Sequence, residues 1–251
     1  MISNYSTNPR NNRPVLGILG GMGPLASAEF LKTIYKFNIG ESEQESPVCI
    51  LYSDPTFPDR SQAIINGLEE KLVNILIETL EGIFEFGVSK VVISCITIHY
   101  FLPQLPGEIR KKIISLTDLI IQEVLATPKR CLLLCTNGTR QARTFQRHEL
   151  WGLIENCLVL PNNDEQNIVH ELIYKIKKNG SEDIVISYIN MLSRKYKVDC
   201  WIAGCTEFHL LTSYLNNYKY QEENDKACDI IDPLVTISKN LNFFINTTKV
   251  I

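Results

Sequence analysis

The sequence lacks any apolar run long enough to cross a membrane. Its first residues, MISNYSTNPRNNRP, are polar and lack the apolar core that a signal peptide needs. From these absences we expect a cytoplasmic protein that does not bind a membrane.

Clusters of basic residues and of metal ligands are also missing. Lys and Arg are scattered along the 251 residues, and the formal net charge is -3, so a nucleic-acid partner is not expected. The Cys131-x3-Cys135 pair has no His/Cys partner pair nearby, and we predict no metal site. No lysine has a context that points to a Schiff base with pyridoxal phosphate, and we expect no cofactor.

Cysteine, in contrast, is well represented, with 8 residues in the chain. Most of these lie in or just after apolar runs, where thiols in a reducing compartment are usually inert core residues. They are Cys49, Cys95, Cys131, Cys135 and Cys205.

The order of predicted strands and helices is typical of an α/β protein. Short β-rich runs alternate with longer segments of helical period, which indicates a parallel sheet covered by helices. The predicted strands are 15–20, 48–53, 91–95, 131–136, 157–161 and 200–205. Apolar residues at three- and four-residue spacing predict helices between 68 and 86 and between 168 and 176.

A weak internal duplication divides the chain into two similar halves. Strand 15–20 and the turn after it correspond to strand 131–136 and its turn, and the apolar run ending at Cys95 corresponds to the run ending at Cys205. We therefore predict two flavodoxin-like, three-layer αβα domains with parallel sheets, related by pseudo-twofold symmetry, with the active site in the cleft between them. The expected boundaries are 1–110 plus 216–251 for the first domain, including a polar tail at 1–13, and 111–215 for the second.

Two cysteines at corresponding strand ends suggest a particular chemistry. Open parallel sheets bind ligands beyond the carboxyl ends of their strands, so facing halves would put Cys95 and Cys205 on opposite walls of one cleft. A thiolate on one face of a carbon can remove a proton while a thiol on the other face delivers one. Such a pair inverts a stereocentre, and at the α-carbon of an amino acid it needs donors aimed at the carboxylate.

Polar residues suited to a carboxylate follow the same strand ends. They are Thr97, Thr136, Asn137, Thr139 and Thr206. Arg60 can bind a carboxylate through two hydrogen bonds, and Lys178 could supply a second cation for a dicarboxylate. Each also has an ordinary interpretation: the threonines as caps or turn residues, Arg60 as a solvated charge, and Lys178 as a partner of a helix C-terminus.

Taken together, these motifs resemble the pyridoxal-phosphate-independent aspartate/glutamate racemase family. The matching stretches, in family order, are GGMGPLAS, PDRS, C-x-T-x-H at 95–99, TNGT at 136–139, YKIKKNG at 174–180 and GCTE at 204–207. The GCTE form is similar to the aspartate racemase branch. The resemblance implies aspartate as the small-molecule substrate and a homodimer.

The resemblance also implies roles for individual residues. Cys95 and Cys205 would be the two acid/base residues, and Arg60 and Lys178 would hold the distal carboxylate. The residues implied around the α-carboxylate are Thr97, Thr139 and Thr206.

One position departs from the family pattern, and several neighbours have open roles. Ile96 stands where the family usually has Asn, so the substrate must be held differently or the substrate range is shifted. His99 and His209 each follow a cysteine at the fourth position and could activate it or point elsewhere. Glu207 could be a proton relay or a partner of the helix dipole. Gly21 and Met22 are expected at the edge of the site.

Other functions also fit these residues. The cysteine pair could serve a glutamate, hydantoin or broad-specificity amino-acid racemase, or a maleate cis-trans isomerase that uses one thiolate as a nucleophile. Gly21, Gly23 and Ala26 also fit the G-x-G-x-x-G/A spacing of a nucleotide-binding module. The fingerprint lacks its usual acidic partner about 20 positions further on at the end of the second strand, because Asp54 at that strand end is about 33 positions away.

Overall fold

The computed structural model describes residues 13–127, 129–178, 182–218 and 228–247, so nearly all of the predicted polar tail lies outside the described residues. The described residues include two four-stranded parallel sheets. The strands of the first are β1 (Val15–Gly20), β2 (Val48–Ser53), β3 (Lys90–Ile93) and β4 (Ile113–Ile114). Those of the second are β5 (Cys131–Cys135), β6 (Leu158–Val159), β7 (Cys200–Gly204) and β8 (Asp229–Ile231).

Both sheets have the same strand order, β2-β1-β3-β4 in the first and β6-β5-β7-β8 in the second. All pairings are parallel. This is the start of the flavodoxin-like order. The predicted α/β class with two similar parallel-sheet domains is confirmed.

Helices connect the strands, as parallel pairing requires. In the first half they are α1 (Pro24–Phe37), α2 (Arg60–Ile65), α3 (Glu69–Glu85), a 3₁₀ helix (Ile96–Gln104) and α4 (Gly107–Arg110). Next come α5 (Leu116–Ala126), α6 (Asn137–Gln141), α7 (Trp151–Ile154), a short 3₁₀ turn (Glu155–Cys157), α8 (Asn163–Lys177) and α9 (Glu182–Tyr196). The last are α10 (Phe208–Tyr218), α11 (Pro233–Lys239) and α12 (Leu241–Asn246). Another 3₁₀ turn, Glu43–Glu45, precedes β2.

Local sequence explains where the helices near the strand ends begin. Pro24 occupies the first turn of α1, where its missing N–H costs nothing. Asn162 caps α8, because its side chain accepts from the Glu165 N–H while Glu165 accepts from the Asn162 N–H. Asp59 caps α2 by accepting from the Gln62 N–H. The cap on α2 fixes the first turn, which carries Arg60.

Alternation along each strand separates the core into layers. In β5, Leu133 packs in a central cluster that also contains Leu16 of β1, whereas Leu132 and Leu134 pack in an outer cluster with Ile173 of α8. The other face of the first sheet packs against α3 in a third cluster. The central cluster contacts both sheets, so the two halves share part of their core.

Two strands belong to a different sheet from the one that the predicted domain boundaries imply. β4 extends the first sheet beyond residue 110, and β8, expected in the first domain, pairs with β7 of the second sheet. Both are only two or three residues long, too short to show a period. The sequence from Pro233 onward does return to the first half, because Leu234 and Ile237 share the central cluster with Phe30 of α1.

No helix in the described ranges is both long and apolar enough to span a bilayer.

Candidate active site

The two predicted catalytic cysteines follow corresponding strands. Cys95 comes just after β3 and Cys205 directly after β7, and both are buried, with 7% and 6% of their surface exposed. The two loops meet, because the Thr206 hydroxyl donates to the Ser94 carbonyl at 3.1 Å. The structure thus brings together the chain segments that carry the two thiols.

Three of the predicted threonines form a cluster between the halves. The Thr97 hydroxyl lies 3.2 Å from that of Thr136 and 2.9 Å from that of Thr139, and the latter two lie 3.1 Å apart. Thr136 also caps α6 by accepting from the Thr139 N–H. All three are buried, so a carboxylate arriving here meets hydroxyl donors in a dry environment.

The Cys205 thiol has a carboxylate partner. It donates to Glu207 Oε2 at 2.7 Å, and Glu207 is itself 2% exposed. Burial, followed by the charge of Glu207, raises the pKa of Cys205 well above its usual value. Cys205 is therefore held as a protonated thiol.

Gly23 makes room for the Glu207 carboxylate. A Cβ at position 23 would lie 2.1 Å from Glu207 Oε1, so no larger residue fits there without displacing that side chain. Part of the glycine-rich turn after β1 thus packs against a carboxylate. The place where a nucleotide-binding loop would receive a phosphate is occupied by a negative charge.

Cys95 has a cationic neighbour instead. The Arg60 guanidinium interacts with the Cys95 side chain, and only 8% of Arg60 is exposed. Burial lowers the pKa of Arg60, but its interactions with the side chains of Cys95 and Asp59 offset this and leave the pKa of Arg60 raised. The buried Arg60 Nε has no hydrogen-bond partner among the described residues.

A second cation approaches the site from α8, and it is Lys177 rather than the predicted Lys178. Lys177 Nζ lies 3.5 Å from Glu207 Oε1 and donates to the Met22 carbonyl at 3.3 Å, whereas Lys178 is exposed at the C-cap of α8. Burial lowers the pKa of Lys177, but the nearby charge of Glu207 opposes this effect and the pKa is raised on balance. The sequence-based assignment was displaced by one residue.

The turn after β1 links both cations. The Met22 carbonyl also accepts from Arg60 Nη2 at 3.0 Å, so Met22 binds Arg60 and Lys177 through one oxygen. Gly21 has a φ of +88°, and a Cβ there would lie 2.3 Å from the backbone of Asp54. Met22, predicted at the edge of the site, therefore contacts its cations, whereas Gly21 packs against Asp54.

Two residues that the sequence did not reveal connect the halves near Lys177. The Tyr174 hydroxyl donates to Asp59 Oδ2 at 2.9 Å, and Lys177 Nζ lies 4.8 Å from the centre of the Tyr174 ring. Burial raises the pKa of Asp59, but the hydrogen bond from the Gln62 N–H and the charge of Arg60 outweigh it and lower the pKa. Lys177 lies four residues after the buried Ile173 and three after Tyr174 on α8, and this spacing was the available signal.

Neither histidine is placed to activate a thiol directly. His99 Nδ1 donates to the Cys95 carbonyl at 3.0 Å, and its Nε2 accepts from the Leu116 N–H at 2.9 Å. Burial lowers the pKa of His99 to about 4, so the ring is neutral. His209 binds Asp232 at 2.7 Å and Thr33 at 2.9 Å through its two nitrogens. Both rings hold backbone or neighbouring elements in place.

Asn137 and Ile96 are placed away from a direct polar role. The Asn137 side chain binds Gln166 and Asn167 of α8, and its N–H donates to His170 Nδ1 at 3.3 Å. Ile96 is 1% exposed and belongs to the central hydrophobic cluster. The departure from Asn at position 96 therefore matches an apolar environment.

The fold and the site define the class of protein as a racemase-type isomerase, with two similar α/β halves and a thiol from each. The chain belongs to the Asp/Glu/hydantoin racemase family, whose model matches residues 19–233.

Individual relatives are consistent with that family. The chain is 21% identical over 209 residues to the broad specificity amino-acid racemase RacX of Bacillus subtilis (strain 168), covering 81% of this chain and 89% of the relative. The Picrophilus torridus aspartate racemase superposes with a TM-score of 0.75 at 23% identity, covering 92% of this chain and 94% of that one. A glutamate racemase from Francisella tularensis subsp. tularensis SCHU S4, in complex with D-glutamate, has a TM-score of 0.60 at 18% identity, with 95% and 85% covered. At these identities, the solved structures show the fold.

Proposed function

We propose that this racemase interconverts L- and D-aspartate without a cofactor, using Cys95 and Cys205 as its two acid/base residues. The observation that carries the proposal is the opposite environment of two thiols on adjoining loops. Cys95 lies beside the Arg60 cation, whereas Cys205 donates to the Glu207 carboxylate. One thiolate and one thiol are what removal and delivery of a proton require.

In the proposed reaction, Cys95 starts as the thiolate and Cys205 as the thiol. The Cys95 thiolate takes the α-proton of one enantiomer, and the Cys205 S–H bond breaks as its proton is delivered to the opposite face of the same carbon. The enzyme is left with a Cys95 thiol and a Cys205 thiolate. The other enantiomer reacts in the reverse sense and restores the first state.

The remaining site residues fit the two carboxylates of aspartate. Hydroxyl groups of Thr97, Thr136 and Thr139 can donate to the α-carboxylate and stabilise the charge that develops on proton removal. Arg60 and Lys177, joined at the Met22 carbonyl, can bind the distal carboxylate. A buried and a partly buried cation favour a dicarboxylate over a neutral amino acid, which supports aspartate or glutamate as the substrate class.

The experiment that tests this proposal follows hydrogen at the α-carbon. Purified enzyme is incubated in D2O with L-aspartate or D-aspartate, and early samples are separated by chiral chromatography and examined by mass spectrometry. A two-base mechanism predicts that the product enantiomer carries solvent deuterium while the remaining substrate keeps its α-proton. The Cys157→Ser variant, at a half-buried cysteine outside the site, is the matched control.

Two results would contradict the proposal. Deuterium entering unreacted substrate as fast as product would indicate a single base. Turnover of glutamate, hydantoins or maleate, with no hydrogen exchange at the α-carbon of aspartate, would show that one of those compounds is the substrate instead.

We also propose that the protein is a cytoplasmic homodimer. All eight cysteines are free, which suits a reducing compartment. The edge strand β2 and the end of α1 expose Val48, Tyr52 and Phe37 at 42%, 43% and 43%, apolar surface that a second copy could cover. Sedimentation equilibrium would show a dimer mass, and a charged Tyr52→Glu variant should shift it toward the monomer.

A further inference from the structure

A cavity lies beside the 3₁₀ helix that follows Cys95. Its volume is about 600 Å³, within the range of small-molecule sites, and it is lined by elements of both halves of the chain. The 3₁₀ helix and β4 contribute one side, and the start of α5, the 144–149 segment and α12 contribute the other. Neither proposed catalytic cysteine lines it.

One part of the cavity wall is apolar. Leu102, Ile113, Leu119 and Phe244 line it and are themselves at least nine-tenths buried. These side chains already pack in the core, so their exposed faces form a firm surface rather than a mobile one. An aromatic or aliphatic group could bury its surface against them.

The polar part of the wall is positively charged on balance. Four cationic side chains line the cavity, against two carboxylates. The cations are Lys90, Arg110, Lys111 and Arg147, and the carboxylates are Asp118 and Glu149. Within the described ranges neither arginine forms a salt bridge, whereas Lys111 pairs with Glu108 and Asp118 with His148. The Arg147 guanidinium stacks over the Tyr100 ring at 4.7 Å, which fixes its plane.

Thr144 provides an independent indication of a ligand. It lines the cavity and is 8% exposed, yet its hydroxyl has no hydrogen-bond partner among the described residues. Buried hydroxyls without partners are rare in native proteins, because losing water without a replacement costs free energy. A polar group of a bound molecule would satisfy this hydroxyl.

We propose that this cavity binds a small organic anion with an aromatic or aliphatic body. The apolar wall takes the body, the Arg110 and Arg147 guanidinium groups take the acidic group, and the Thr144 hydroxyl gives a further hydrogen bond. Aspartate has no apolar body, so the ligand is of a different class from the proposed substrate.

The position of His99 links the cavity to the cysteine site. The His99 ring lines the cavity, and its Nδ1 donates to the Cys95 carbonyl. A molecule in the cavity would therefore contact a residue that positions the Cys95 loop, and would also bridge the two halves. Such a ligand has the means to regulate the reaction.

The test compares a charged probe with its neutral counterpart. The probe is 1-anilinonaphthalene-8-sulfonate, an aromatic sulfonate, and the counterpart is N-phenyl-1-naphthylamine, which has the same rings without the acid. Fluorescence titration of the full chain should give one site for the sulfonate and at least about tenfold weaker binding of the neutral dye. Equal affinity of both dyes would overturn the proposal.

Variants then locate the probe. Arg147→Ala should weaken sulfonate binding by about tenfold and Thr144→Val by about threefold, because each removes one hydrogen-bonding group. Arg194→Ala, an exposed arginine on α9, removes the same charge elsewhere and should leave affinity unchanged. Circular dichroism confirms folding of each variant. An unchanged affinity in Arg147→Ala and Thr144→Val, or a loss in Arg194→Ala, would contradict this location.

Competition separates this cavity from the cysteine site. Saturating aspartate, or maleate as a non-reacting dicarboxylate, should not displace the sulfonate. Displacement of the dye in direct competition would place it between the cysteines and overturn the proposal. Because the readout is binding, the result does not depend on the racemase substrate.

Discussion

The Cys95 and Cys205 loops occupy the same position in two sheets of the same strand order, yet their surroundings carry opposite charge. Arg60 lies beside Cys95, whereas Glu207 accepts from Cys205. The histidines at the fourth position differ too, since His99 is a neutral ring holding a carbonyl and His209 pairs with buried Asp232. The repeated fold supplies matched positions, and different side chains at and around those positions supply the difference that the proposed proton transfer needs.

Removing either thiol should have the largest effect. Cys95→Ala and Cys205→Ala are each expected to lower kcat for racemisation in both directions by about a thousandfold, because each direction needs both a base and an acid. Rates are measured by polarimetry from both enantiomers. Cys157→Ala should keep wild-type activity, and substantial activity in either site variant would remove the two-base mechanism.

Lys177 and Lys178 form a matched pair of adjacent lysines. Lys177→Ala should raise KM for aspartate by about tenfold, the cost of losing one charge-assisted hydrogen bond to the distal carboxylate. Lys178→Ala should stay within about twofold, because that side chain is exposed at the end of α8. Steady-state kinetics decide between them, and the reverse ranking would restore the sequence-based assignment.

Glu207→Gln tests the difference between the two thiols. The charge of Glu207 helps to raise the pKa of Cys205, so a neutral side chain of the same shape should lower that pKa. We expect the alkaline limb of kcat/KM, in the direction that needs Cys205 as an acid, to move down by about one pH unit. Profiles are recorded in both directions. An unmoved alkaline limb in both would show that Glu207 does not control the thiol.

The smallest effect is expected from the contact between Tyr174 and Asp59. Tyr174→Phe removes one hydrogen bond between the halves and should lower kcat/KM by about threefold. Tyr188→Phe is the control, since the Tyr188 hydroxyl is buried without a hydrogen-bond partner among the described residues. Equal effects of the two changes would show that the Tyr174 hydroxyl has no particular role.

The sequence was sufficient to predict those strands and helices that show a clear local periodicity of apolar residues. β1 and β2 have the bounds that their apolar runs predict, and α3 and α8 follow the predicted stripes. β4 and β8 were missed because a strand of two or three residues shows no alternation. Their pairing depends on the neighbouring strands β3 and β7, so the predicted domain boundaries did not take it into account.

Site residues were predictable where they follow strand ends, and less so on helices. Thr97 and Thr139 could be anticipated because both follow predicted strands. The predicted lysine, Lys178, is one position too far along the chain, because the exact rotation of α8 decides which of its side chains face the site. Counting from the buried Ile173, position 177 lies about 40° away around the helix and position 178 about 140°. The contact of Glu207 with Gly23 joins residues far apart in sequence, so only the fold reveals it.

The hydrogen bond from Thr206 to Ser94 has a consequence for substrate entry. Because both cysteines are more than nine-tenths buried, we expect the proposed substrate to reach them when the halves separate and this bond opens, together with the hydroxyl contact between Thr97 and Thr139 and the hydrogen bond from Tyr174 to Asp59. The arriving carboxylate can replace the hydroxyl contacts that are lost. We therefore expect opening and closing of the halves to set an upper limit on turnover, whatever the speed of proton transfer.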